Sequence, residues 1–191
     1  MTQENKQKIL LNLPNTCTLM NAICGIIALL IAVFYHTPET IKISCFLIAL
    51  GGFFDGIDGK LAKKYNVISE LGKQLDSFAD SITFVITPSC VFLSLHMVVN
   101  CNKVYLHEII IVTFYICCGV FRLARYNITE QKPYFEGLPT TSAGVLMSIY
   151  IFISVIYMDK IIESMVYSIV SFIFIIILGI AMISKFQVNR I

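Results

Sequence analysis

The stretch DGIDGKLAKKYNVISELGKQLDSFAD carries four aspartates, Asp55, Asp58, Asp76 and Asp80. Asp55 and Asp58 are spaced i, i+3, and Asp76 and Asp80 i, i+4. On helices, each pair lies on one face. If the two faces meet, four carboxylates converge, and like charges that close repel strongly when bare. Hard divalent cations resolve the repulsion. Mg²⁺ or Mn²⁺ prefers oxygen ligands and leaves positions open for substrate phosphates. Two such ions can clamp a phosphate and stabilise the attacking and leaving oxygens. A spare carboxylate can take a proton from an incoming hydroxyl.

The elements that must position these acids are membrane spans. Of the 191 residues, 57% are hydrophobic and only 14% charged, and the mean hydropathy is +0.81. A soluble domain of this length cannot hide so much apolar surface, so the expected solvent is a bilayer. The expected fold is all-α and integral to the membrane, with six transmembrane helices in one membrane domain over residues 1–191. The spans are placed at about 16–35, 43–62, 70–99, 109–125, 137–158 and 161–184. The second is uncharged only from Ile43 to Phe54, so it must continue through Asp55 and Asp58 to cross. The third runs from near Glu70 through Asp76 and Asp80. Residues 1–14 read as an interfacial segment, with Pro14-Asn15 as a turn or N-cap into the first span; a disordered tail is the alternative there. The start lacks a short apolar core followed by a cleavage site, unlike a signal peptide. The seven cysteines lie mostly in apolar runs without metal-ligand spacing and read as small buried residues.

Six spans put both termini, the 2–3 loop and the 4–5 loop on one side. That side holds Lys6, Lys8, Lys60, Lys63, Lys64, Lys73, Arg122, Arg125, Lys132, Lys185 and Arg190; the other holds Lys42, Lys103 and Lys160. The bias of basic residues places the termini and the aspartates on the cytoplasmic face of a cell membrane. The aspartates could instead pair with the nearby lysines, or belong to the cation pathway of a coupled transporter. Acids sharing a helical face at a membrane edge favour a functional site. Their confinement to one surface favours an enzyme that uses a lipid and a water-borne reagent. His36, His96 and His107 fall toward the opposite side and are set aside as site residues, and no nucleic-acid partner is expected. Gly59, Ala62 and Gly72 surround the acids. Small side chains there let a flat ligand approach the backbone; close helix packing is the other explanation.

Taken together, Asp55-x2-Asp58-Gly59-x2-Ala62-Lys63-x8-Gly72-x3-Asp76-x3-Asp80 resembles the signature of the CDP-alcohol phosphatidyltransferases, D-x2-D-G-x2-A-R-x8-G-x3-D-x3-D. Seven of its eight fixed positions match. The departure is Lys63, which keeps the positive charge of the family's arginine but loses its planar, bidentate fork. The resemblance implies six transmembrane helices, usually as a homodimer. It implies two divalent cations, Mg²⁺ or Mn²⁺, with Asp55, Asp58 and Asp76 as ligands and Asp80 as both ligand and general base. Asp58, Gly59, Ala62, Lys63 and Gly72 would border the cytidine diphosphate of CDP-diacylglycerol. An alcohol would attack the phosphorus that carries the lipid, and CMP would leave.

Three further stretches resemble the serine-using branch of that family: LPNTCTLMNAICGIIAL in the first span, FRLARYN (Phe121 to Asn127), and FEGLPTTSAG (Phe135 to Gly144). That branch tends to read S-F-G-x-A-P shortly after the last aspartate, where this chain has Thr83-Phe84-Val85-Ile86-Thr87-Pro88. The implied acceptor is L-serine, bound by Arg122, Arg125 and Asn127, since an arginine fork matches a carboxylate. Glycerol 3-phosphate or another alcohol is the alternative, because the same fork matches a phosphate. Headgroup anchoring is the structural explanation of the two arginines.

Overall fold

The computed structural model describes residues 3–65, 69–100, 103–128, 134–158 and 165–189. Its helices are α1 (Gln3–Phe34), α2 (Pro38–Tyr65), α3 (Glu70–Asp80), α4 (Thr87–Val99), α5 (Leu106–Ile128), α6 (Thr140–Ile156) and α7 (Met165–Ile183). A π-helical turn, Ser81–Ile86, joins α3 to α4, so Glu70–Val99 forms one continuous span. Two three-residue strands, β1 (Tyr134–Glu136) and β2 (Gln187–Asn189), pair antiparallel with Phe135 opposite Val188. The protein is an all-α integral membrane protein with this small ribbon added.

Among the described residues, five helices are long and apolar enough to cross a membrane, and Thr140–Ile156 is a shorter apolar sixth. The fifth expected span, 137–158, therefore begins three residues late. Gly137 has φ +70 and sits against the last carbonyls of α7, and a Cβ there would lie 2.7 Å from the Ser184 oxygen. The Gly137 and Leu138 amides donate to the Phe186 and Ala181 carbonyls. The Leu138 bond satisfies a carbonyl that the end of α7 leaves unpaired, and the two bonds together hold Gly137-Leu138-Pro139 outside the helix. At the N-terminus the expected break at Pro14-Asn15 is absent: α1 runs through Pro14 without interruption. The polar start thus continues the helix, while its apolar span begins at Leu13. The Pro14 carbonyl accepts a second bond, from Thr18 Oγ1 at 3.1 Å.

Helix starts follow local chemistry. Thr37 and Thr40 exchange side-chain-to-amide bonds of 3.1 and 3.3 Å at the start of α2, with Pro38 in its first position. This reciprocal cap satisfies two orphan amides, and proline lacks the third. Ser69 caps α3 through the Gly72 amide at 3.0 Å. As expected, α2 carries Asp55 and Asp58 within its length.

The π-turn is the centre of the packing. Thr83, Phe84 and Val85 are fully buried. Glycines of four surrounding helices lie against it: Gly25 and Gly51 against Thr83, Gly144 against Phe84, and Gly119 against Val85. Small residues let membrane helices approach this closely. A π-turn disturbs the backbone ladder, and side chains from neighbouring helices bond to it. Tyr115 Oη donates to the Phe84 carbonyl at 3.2 Å, and Thr83 Oγ1 donates to the Asn21 carbonyl at 3.1 Å. Val85 stands where the serine-using branch has glycine, and the missing space is supplied by Gly119, whose added Cβ would lie 2.7 Å from a Val85 methyl.

Gly144→Ala is expected to lower stability by about 1–3 kcal/mol, the usual scale of overpacking. Its new Cβ would meet the Phe84 backbone at 2.6 Å, which cannot rotate away. Gly56→Ala, with nothing within 4 Å of the added Cβ, is expected to leave stability unchanged. Thermal unfolding of the two purified variants checks the contrast.

Candidate active site

The π-turn begins directly after Asp80, so the packed centre of the fold anchors one end of the acid cluster. Carboxylate oxygens of Asp55, Asp76 and Asp80 lie within 4.8 Å of one another. The two helix faces carrying the i, i+3 and i, i+4 pairs do meet, bringing three of the four acids together. Asp58 stands outside this group of three; it is buried, 6% exposed, and its Oδ2 accepts from Thr18 Oγ1 at 2.7 Å.

The cluster fits a metal ion by its own chemistry. Its donors are all carboxylate oxygens, the set a hard divalent cation prefers. Asp76 Oδ1 is buried and has no hydrogen-bond partner among the described residues. A buried charged oxygen without a donor is strongly unfavourable unless a cation compensates it.

The other aspartates receive donors from helices outside the pair that carries them. Thr141 Oγ1, at the start of α6, donates to Asp55 Oδ2 at 3.1 Å. Asn21 Nδ2, in α1, donates to Asp80 Oδ1 at 3.4 Å. Thr18, Asn21 and Thr141 are the site residues that the sequence reading missed. The one trace in the sequence is that Thr18 and Asn21 are polar residues spaced i, i+3 inside an apolar span, a pattern that bonding within the helix also explains.

Beside the acids, Gly56 and Gly59 face open space, with nothing within 4 Å of an added Cβ at either. At Gly59 the room favours ligand approach over helix packing. Gly72 is different: an added Cβ would lie 3.0 Å from both Asn15 Oδ1 and Ser69 Oγ, so there close packing explains the glycine. Ala62 and Lys63 lie in α2, and their side chains fall outside the described residues.

Residues 11–185 match the family model for CDP-alcohol phosphatidyltransferase. The chain belongs to that family. A CDP-diacylglycerol–serine O-phosphatidyltransferase of Bacillus subtilis is 35% identical over 141 residues, 73% of this chain and 75% of the relative. The enzyme of the same name from Saccharomyces cerevisiae is 32% identical over 155 residues, 73% of this chain and 54% of the relative. An archaetidylserine synthase of Methanothermobacter thermautotrophicus is 28% identical over 151 residues, 78% and 61% respectively. The chain thus spans about half the length of the yeast relative. As a CDP-alcohol phosphatidyltransferase, the protein is a membrane enzyme of phospholipid synthesis whose acid cluster can hold a metal ion.

In this CDP-alcohol phosphatidyltransferase the three expected acceptor residues have different surroundings. Arg122 is 7% exposed, and its Nε has no hydrogen-bond partner among the described residues. It lies close enough to Asp80 for their charges to interact. Arg125 Nη1 donates to the Ile183 carbonyl at 3.1 Å, at the end of α7. Asn127 ties α5 to α3: its side chain bonds Ser77 Oγ, with Nδ2 at 2.8 Å, and its carbonyl accepts from Lys73 Nζ at 2.7 Å. FRLARYN therefore carries two helix ties and one buried cation near the acids. The three histidines stay out of the acid cluster: His36 Nδ1 bonds Ser94 Oγ at 3.1 Å, and His96 Nδ1 pairs with Glu108 at 2.7 Å.

Proposed function

We propose that this enzyme transfers the phosphatidyl group of CDP-diacylglycerol to the hydroxyl of L-serine, giving phosphatidylserine and CMP. The observation that carries the chemistry is the convergence of Asp55, Asp76 and Asp80 within 4.8 Å beside the open face at Gly56 and Gly59. The names of the relatives from Bacillus and yeast support the choice of acceptor.

In this reading the lipid enters sideways from the cytoplasmic leaflet with its acyl chains still in the bilayer. The cytidine diphosphate lies along Gly59 and Ala62, with Lys63 as a point charge on a phosphate and Gly72 serving the packing of α3 against Asn15. Asp55, Asp58, Asp76 and Asp80 would hold two divalent cations, Mg²⁺ or Mn²⁺, whose positive charge would offset the negative charge of the diphosphate and of CMP as the leaving group. Arg122 receives the serine carboxylate, a charge-assisted pairing that also fixes orientation. Asp80 accepts the hydroxyl proton as the serine oxygen forms its bond to the lipid-bearing phosphorus. The bond from that phosphorus to the CMP oxygen breaks in line with the attack. No covalent enzyme intermediate is required, because the nucleophile is already positioned. The eleven basic residues on one side of six spans support cytoplasmic termini and a cytoplasmic site. A homodimer, implied by the family resemblance, completes the reading and is checked by mass measurement in detergent.

The deciding experiment measures CMP release from CDP-diacylglycerol with serine, glycerol 3-phosphate, inositol or ethanolamine as acceptor. Serine is expected to support release, and EDTA to abolish it, with Mg²⁺ or Mn²⁺ restoring it. Release driven only by glycerol 3-phosphate would move the assignment to that acceptor, whose phosphate Arg122 would also suit. No release with any acceptor would overturn the reading.

A further inference from the structure

Two of the sequence motifs, LPNTCTLMNAICGIIAL and FEGLPTTSAG, carry no charged residue beyond Glu136, yet both reach the acid cluster. The first supplies Thr18 and Asn21, and the second supplies Thr141. Each donates one hydrogen bond to a different aspartate: Thr18 to Asp58 Oδ2, Asn21 to Asp80 Oδ1 and Thr141 to Asp55 Oδ2. Each bond occupies one oxygen of its carboxylate, and carboxylate oxygens of Asp55 and Asp80 lie within 4.8 Å of each other and of Asp76. All three donors come from helices other than α2 and α3, so they fix the rotation of acids whose own helices leave it free.

We infer that Thr18, Asn21 and Thr141 are positioning residues: an orienting shell that presents one oxygen of Asp58, Asp80 and Asp55 to the metal site. This rests on the proposed role of the aspartates as metal ligands.

Each donor is itself anchored. Thr18 Oγ1 is also shared with the Pro14 carbonyl at 3.1 Å. Asn21 is fully buried, and its carbonyl accepts from Thr83 Oγ1 of the π-turn, so one residue contacts Asp80 and the turn that follows it. Thr141 lies in the first turn of α6, whose start is set by the Gly137 and Leu138 bonds to α7. A first-shell carboxylate oriented by outside donors binds its metal more tightly, and losing such a donor typically costs about 10–100-fold in metal affinity or activity.

The test uses the isosteric pairs Thr141→Val and Thr141→Ser in the full chain, with Mn²⁺ binding followed by electron paramagnetic resonance and folding by thermal unfolding. Thr141→Val is expected to weaken Mn²⁺ binding about 10-fold or more, while Thr141→Ser, which keeps the hydroxyl, stays near wild type. The same split should appear in kcat for CMP release, with KM for serine little changed. Wild-type Mn²⁺ binding by Thr141→Val would overturn the inference. Equal weakening by both variants would also overturn it, because a variant that keeps the hydroxyl would then fare no better than one that lacks it. Should Thr141→Val fail to fold, Thr18→Val and Thr18→Ser decide by the same criteria. A wild-type protein that binds Mn²⁺ but releases no CMP would sink the proposed function alone, and the Mn²⁺ arm would still decide the orienting role.

Discussion

Asp80→Asn is expected to slow CMP release by about 10²–10⁴-fold, the range a positioned general base contributes. The substitution is isosteric, so the seat of the residue above the π-turn survives. The Asn21 Nδ2 donor, 3.4 Å from Asp80 Oδ1, can still find an oxygen on the new amide. Asp55 and Asp76 remain to hold a cation, so the folded variant should retain Mn²⁺ binding. What it loses is the carboxylate proposed to take the proton of the acceptor hydroxyl. CMP release in detergent, measured at saturating CDP-diacylglycerol and serine, checks this. Turnover like that of the wild type would remove Asp80 from the base role.

Arg122→Ala is expected to raise KM for serine about 10–100-fold, since a hydrogen bond to a charged group contributes about 1.5–3 kcal/mol and each 1.4 kcal/mol is tenfold. KM for CDP-diacylglycerol should move little. The structure directs this prediction to Arg122 in preference to its neighbour. Arg125 bonds the Ile183 carbonyl, so Arg125→Ala is expected to act chiefly on the junction of α5 and α7 and to lower thermal stability. Arg122 has a buried Nε with no partner among the described residues, the condition in which a bound carboxylate gains most. Steady-state kinetics with each substrate varied in turn separates the two arginines. Equal rises in both KM values for Arg122→Ala would mark it as a packing residue.

The acid pairs were legible because helical periodicity is local. Spacings of three and four residues place side chains on one face whatever surrounds the helix, so Asp55 with Asp58 and Asp76 with Asp80 could be paired before any fold was known. The spans were legible because about 20 apolar residues in series have few other solutions. Thr18, Asn21 and Thr141 were not legible as site residues. A threonine or asparagine in an apolar span is also explained by bonding within its own helix, as Ser154 bonds the Tyr150 carbonyl. Only the approach of α1 and α6 to α2 and α3 separates the two roles. The π-turn was hidden for the same reason: SITFVI has no local mark of a wider turn, and four glycines far apart in sequence make room for it.

From residues alone came the membrane setting, the acid pairs and the family signature, all of which depend on composition or on spacing within one helix. The tertiary structure decided which acids converge and which donor holds each one. It also decided that Arg122 is buried with an unpartnered Nε among the described residues while Arg125 and Asn127 tie helices together. Those outcomes depend on how separate helices approach, and that approach is governed by small residues such as Gly25, Gly119 and Gly144, whose importance lies in the neighbours they admit.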